Sequence, residues 1–167
     1  QAEDGIRDCL LSRGLGDVYK RQAISTPNIE RLMNFYKENF NCKDIDSRSQ
    51  WAKGNEKIDQ VLSLKNSSAK QGFLSCGNVM IEFFEYLSPE PKPMQENRPV
   101  NNHGHTHICF DVTNINEVYN ELLSKGVNFH CPPQDFGSVK ATYGRDIDGN
   151  VFEIQEIISI DHSAKVF

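Results

Sequence analysis

A strand–helix–strands order occurs twice in this chain of 167 residues, and a repeated unit restricts the fold more than any other feature of the sequence. Gly104–Val112, written GHTHICFDV, sets Ile108, Phe110 and Val112 at alternate positions with His105, His107, Cys109 and Asp111 between them, the period of a half-buried strand. Asn114–Ser124 follows with Ile115, Val118, Tyr119 and Leu122 at helical spacing, and Gly126 is placed to stop the helix. Earlier, Ala23–Thr26 runs into Asn28–Phe40, whose Ile29, Leu32, Met33, Tyr36 and Phe40 share one face, and Asn28-Ile29 matches Asn114-Ile115 at an offset of 86 (114 − 28). Gly77-Asn78-Val79 and Gly149-Asn150-Val151 then each open a strand containing Glu-x-x-Glu, at Glu82/Glu85 and Glu153/Glu156. The chain therefore reads as an α+β fold of two βαβββ modules.

The first module spans residues 23–87. It continues through a strand over Cys42–Trp51, a polar loop over Ala52–Ser68, and a hairpin of Ala69–Cys76 and Val79–Tyr86 around Gly77-Asn78. Residues 88–102 hold four prolines with almost no periodicity and read as a linker. The second module takes residues 103–158, with further strands at Val127–Cys131, Val139–Arg145 and Val151–Ile158, and residues 159–167 form a tail. Residues 1–22 read as a non-native leader, because Asp17–Gln22 (DVYKRQ) back-translates to a transposon end of the kind used in sequencing libraries. On that reading Ala23–Thr26 is the surviving end of a truncated first strand.

A net charge of −5 with no run of lysine or arginine gives no footprint for nucleic acid, and no apolar stretch reaches the roughly 20 residues of a membrane span. The five cysteines are odd in number and lack a CxxC pair, which argues against a disulfide scaffold and a zinc knuckle and points to a reducing, cytoplasmic setting.

Strand alternation selects the chemistry. Phe152 and Ile154 suit the packed face of the last strand, which turns Glu153 and Gln155 the other way; Ile81 and Phe83 do the same for Glu82, which shares its face with Met80, Phe84 and Tyr86. If the helix-free faces of the two half-sheets curl together, His107, Glu82 and Glu153 converge in one cleft. Imidazole plus carboxylates is a ligand set for a divalent first-row metal. Taken singly, each reads more readily as a solvent-facing residue of a sheet with one wet face; the recurrence of the glutamates at equivalent places and the company of Phe84 and Tyr86 favour a lined cleft. Tyr143 and Arg145 alternate onto one face and could reach substrate, although Arg145 fits slightly better as an anchor for Asp146 or Asp148 of the turn. His103 and His130 read as surface or satisfied core histidines, Cys109 as a small buried filler, and Arg98 as a cap for an anionic substrate.

The stretches GHTHICFDVTNINEVYNELLSKGV, YGRDIDGNVFEIQE and NVMIEFFEY resemble the vicinal oxygen chelate (glyoxalase, bleomycin resistance, dioxygenase) superfamily, which includes glyoxalase I and methylmalonyl-CoA epimerase. The resemblance implies two βαβββ modules forming a cupped, mostly antiparallel eight-stranded sheet around a metal, with helices outside. It assigns His107, Glu82 and Glu153 as ligands of a divalent ion (Zn, Ni, Co, Mn or Fe). The remaining ligand of metal-dependent members, a histidine opening the first strand, falls at residue 21 (107 − 86), which is Arg21. Either the natural gene carries histidine there and library sequence has overwritten it, or water or His105 completes the site.

The implied activity is a metal-dependent lyase or isomerase acting on a small vicinal-oxygen substrate through an enediolate-like intermediate. Glu153 is the first choice of base and Glu82 the second, with Tyr143, Phe84 and Arg98 against substrate. Two alternatives stand beside it: an iron(II) extradiol-type dioxygenase using residue 21 as histidine, His107 and Glu153, and a metal-free binding module of the antibiotic-sequestering kind, which Arg21 favours. The implied partners are the small-molecule substrate and, as in related proteins that often pair, a second copy in a homodimer.

Overall fold

A computed structural model describes residues 20–159 and 161. The proposed leader lies outside the described residues except at its end, where Lys20, Arg21 and Gln22 belong to the first strand, β1 (Lys20–Ser25). The order continues α1 (Ile29–Phe40), β2 (Lys43–Trp51), α2 (Glu56–Leu62), β3 (Ser68–Cys76), β4 (Val79–Ser88), β5 (His107–Asp111), α3 (Ile115–Ser124), β6 (Asn128–Phe129), β7 (Gln134–Asp135), β8 (Val139–Arg145) and β9 (Val151–Ile157). No helix among the described residues is long and apolar enough to cross a membrane.

The strands form two sheets with one topology. The first runs β1-β4-β3-β2 and the second β5-β9-β8-β6, and in each the opening strand pairs in parallel with the closing one while the other neighbours are antiparallel. The two-residue β7 adds to β8. This is the mixed α+β architecture of two βαβββ modules, and the repeat read from Asn28-Ile29 and the two Gly-Asn-Val turns is a repeat of topology.

The chain divides into two compact units. One holds the described residues up to Ile29 together with Phe40–Pro89; the other holds Glu30–Asn39 together with the described residues from Glu90. The body of α1 therefore belongs with the second sheet, where the Phe35 and Tyr36 rings meet Phe152 and Phe110, each at 6.4 Å. The buried Tyr36 hydroxyl donates to Asp146 Oδ2 at 3.0 Å, and burial followed by that carboxylate pushes the phenol well above its usual range. On α3, Tyr119 meets Phe129, which meets Phe152 edge-on. The apolar positions at helical spacing, Leu32, Met33, Tyr36, Ile115 and Leu122, are almost fully buried, as are Phe152 and Ile154 on β9.

In the first unit Leu74, Ile81 and Phe83 are fully buried, so β4 packs through the face its alternation indicates. Two features depart from the sequence reading. Ala52–Ser68, expected as loop, contains α2: Asn55 caps it by accepting from Ile58 N, and because it buries no side chain it leaves no amphipathic stripe. Cys42 and Cys76, expected unpaired, form a disulfide. Lys43 pairs with Ser75 across β2 and β3, so the two cysteines face each other one step on, with Cα atoms 4.5 Å apart. An odd count and a missing CxxC carry no information about such a cross-strand neighbour.

The second glutamate of each Glu-x-x-Glu has a shared task that the sequence reading left unassigned. Glu85 accepts the Ile29 N–H at 3.0 Å, and Glu156 accepts the N–H groups of Asn114 and Ile115 at 2.9 and 3.2 Å. A carboxylate from the closing strand thus caps the helix that opens each repeat, satisfying donors that have no partner within the helix and complementing its dipole. Because Glu85 and Glu156 share faces with Phe83 and Ile154, the same alternation turns Glu82 and Glu153 the other way.

Candidate functional site

In the second unit, Cys109 on β5 and Tyr143 on β8 flank Glu153 on β9 in register, and His107 pairs with Val151 two residues along, on the same face. The expected helix-free face is therefore assembled from His107, Cys109, Glu153 and Tyr143. His107 Nε2 lies 3.1 Å from Glu153 Oε2, while the Thr106 hydroxyl is 2.9 Å from Nδ1, so both ring nitrogens are held and the ring plane is fixed. The Tyr143 ring lies against the imidazole at 4.7 Å, and its phenol is raised by burial, then by the Glu153 carboxylate. Cys109, expected as a buried filler, is a free cysteine open to solvent. Partial desolvation, then the adjacent Glu153, pushes its thiol far above the usual range, which removes thiolate character.

The first unit repeats this arrangement with different chemistry. Arg21 pairs with Met80 and His107 with Val151, and Met80 and Val151 correspond at the offset of 71 that relates Glu82 to Glu153 (151 − 80 and 153 − 82). Arg21 is therefore the register equivalent of His107, as the offset of 86 predicts. Arg21 Nε sits 3.2 Å from Glu82 Oε2, and its guanidinium lies over the Phe73 ring at 5.7 Å, where the second unit has Tyr143. Glu82 is 7% exposed and also accepts from Gln71 Nε2. Phe84 and Tyr86 stack at 5.6 Å beside it, and Trp51 meets both edge-on.

As a metal centre the two halves differ. His107 Nε2 and Glu153 Oε2 are an imidazole and a carboxylate donor aimed at each other, which suits a divalent cation. Glu82 is neutralised by a guanidinium, which cannot ligate a metal. Among the described residues, no three His, Cys, Asp or Glu side chains are gathered to hold a metal ion.

The other expected residues have clear positions. His103 and His105 are exposed in the segment before β5, so His105 does not share the strand face of His107. His130 sits edge-on to Tyr143, with its pKa lowered by burial and then by Arg145. Arg145 Nη1 donates to Gly149 O at 2.8 Å, so it holds the turn through a backbone carbonyl and not through the expected Asp146 or Asp148 carboxylate. The Arg98 guanidinium is spent on backbone carbonyls of residues 102, 103 and 105.

A family model described as the Glyoxalase/Bleomycin resistance protein/Dioxygenase superfamily matches residues 19–154. Among solved structures, a glyoxalase family protein from Bacillus cereus is 20% identical, with a TM-score of 0.72 over 84% of this chain and 93% of its own. A lactoylglutathione lyase from Agrobacterium tumefaciens is 18% identical, with a TM-score of 0.53 over 84% of this chain and 93% of its own. The fosfomycin resistance protein FosX from Listeria monocytogenes, complexed with Mn(II) and sulfate, is 16% identical, with a TM-score of 0.55 over 90% of this chain and 98% of its own. These identities establish a common fold. No curated protein sequence matches the chain.

Proposed function

Because the chain belongs to the glyoxalase/bleomycin resistance protein/dioxygenase superfamily, we propose that it is a metal-dependent lyase or isomerase of glyoxalase or epimerase type, acting on a small substrate with vicinal oxygens. The observation that carries this reading is the His107–Glu153 pair at 3.1 Å, with the imidazole fixed by Thr106 and Tyr143. His107 and Glu153 are the proposed metal-holding residues of the second unit, and Glu82 is the further carboxylate that the family resemblance assigns. A bound divalent cation supplies Lewis acidity towards substrate oxygens, stabilising negative charge that develops there.

The residues themselves supply the remaining chemistry. Glu153 removes the proton from the carbon beside the substrate oxygens and returns it to the neighbouring or opposite position. Tyr143, a phenol that is protonated at neutral pH and is pushed further up by burial and the Glu153 carboxylate, donates to a substrate oxygen on the same face. Replacing Glu153→Gln keeps the shape and removes the base, so turnover should fall by roughly 10²–10⁴-fold with the fold intact. A panel of hemithioacetals, acyl-CoA esters and catechols, with oxygen uptake followed for the last, reads this out; full activity in the variant would defeat the assignment.

The Arg21–Glu82 ion pair favours a second reading for the chain with arginine at position 21, a binding module without catalysis. Solved relatives include a fosfomycin resistance protein with Mn(II), and metal dependence of ligand binding separates the two readings.

A further inference from the structure

We propose that Arg98, backed by Arg145, is the positioning residue that sets His107 in place, an inference that rests on the reading of His107 as a functional side chain. Arg98 Nη2 donates to Asn102 O and His103 O, both at 3.0 Å, and Nη1 donates to His105 O at 3.2 Å. One planar guanidinium thus winds the segment before β5 around itself, and that segment ends two residues before His107. The wrapping is close: Gly104 adopts φ +121°, and a Cβ there would sit 3.4 Å from Arg98 Nη2. Asn102 N–H closes the loop on Pro99 O at 3.1 Å.

Arg145 ties this loop to the strand that carries Glu153. It stands opposite Val151, the same residue that His107 faces from the other side, so Arg145, Val151 and His107 form one row across β8, β9 and β5. Its Nη2 donates to Arg98 O at 3.0 Å and its Nη1 to Gly149 O at 2.8 Å, in the turn that leads into β9. The two arginines therefore fix the approach to β5 against the approach to β9. The parallel β5–β9 pair is only five residues long in register, so the entry loop has leverage over His107 at its first position. The fork geometry of arginine suits this, because its two terminal nitrogens donate from fixed, separated positions, whereas an ammonium donates from a single point. Arg98 thereby acts through His107.

The test is the pair of His107 ring-proton resonances, which sense the Tyr143 ring 4.7 Å away, in the full chain and in Arg98→Ala and Arg98→Lys. Both variants should shift the His107 signals, and millimolar ethylguanidinium should return those of Arg98→Ala towards the parent. The Tyr119 and Phe129 signals of the same unit should stay in place, as a general loosening would not allow. Gly104→Ala, which keeps the arginine but strains the backbone it holds at φ +121°, should move His107 in the same way and serves if Arg98→Ala fails to fold. Unmoved His107 resonances in the arginine variants overturn the proposal. Cobalt affinity separates this from the functional reading: if the parent binds cobalt, Arg98→Ala should weaken it by about tenfold, as loss of a supporting partner does. If the parent binds none, the metal-dependent reading falls while the resonances still decide the positioning role.

Discussion

Arg21 stands at the register position in the first sheet that His107 holds in the second, each against the glutamate of its own closing strand, at 3.2 and 3.1 Å. In this chain both positions carry a basic group against a carboxylate and an aromatic ring, guanidinium in the first sheet and imidazole in the second. Arg21→His should therefore free Glu82 as a donor and add another. Divalent-metal affinity should rise on the order of tenfold or more. Titration of Co(II) into both forms measures this, and equal affinities would mean that position 21 takes no part in metal binding.

The helix caps supply a stability prediction. Glu156→Ala leaves the Asn114 and Ile115 N–H groups without their carboxylate and should cost about 1 kcal/mol, the usual worth of an N-cap. Glu85→Ala should do the same at Ile29. Denaturant melts of the three chains report it, and unchanged midpoints would show that water replaces the caps at no cost.

Glu85 also gives a pH dependence. Burial acts to raise its pKa, but the Ile29 N–H and the Lys70 ammonium outweigh that and hold it below the ordinary 4.5. A carboxyl with a depressed folded pKa contributes stability that is fully present above its unfolded value and is lost as pH falls through the folded value. The parent should therefore lose stability as pH drops below about 4.5 more steeply than Glu85→Gln, which has no proton to take up there. Parallel melting curves for the two chains below that pH would refute the cap's ionic character.

Gly144 is a packing prediction. A Cβ at this position would overlap the Phe152 ring, 2.8 Å from Cε2, and approach Asn128 O at 3.0 Å, in a strand whose partner residue is that same phenylalanine. Gly144→Ala should destabilise the protein by about 1–3 kcal/mol through overpacking. Thermal or urea unfolding checks it, and a neutral result would mean that the ring has room to swing aside.

What the sequence revealed was what local period encodes. Alternation along Val151–Ile157 separates Phe152 and Ile154 from Glu153, and the same rule along His107–Asp111 separates His107 and Cys109 from Ile108 and Phe110; neither needs knowledge of distant contacts. The hidden features all depend on register or on the main chain. Cys42 and Cys76 are 34 residues apart and meet only because β2 and β3 pair as they do. Arg98 looks like a substrate cap in a linear string, whereas its partners are backbone carbonyls that leave no signature in side-chain identity. That the body of α1 belongs with the second sheet is likewise invisible, since its apolar stripe states that it packs and not on what.

The most direct measurement is calorimetric titration of Mn(II) or Co(II) into the full chain, alongside His107→Ala and Glu153→Gln. The account predicts one metal per chain for the parent, abolished by His107→Ala and much weakened by Glu153→Gln, with all three chains folded. Absence of binding by the parent, or binding indifferent to His107, would contradict it and leave a metal-free ligand-binding module as the better description.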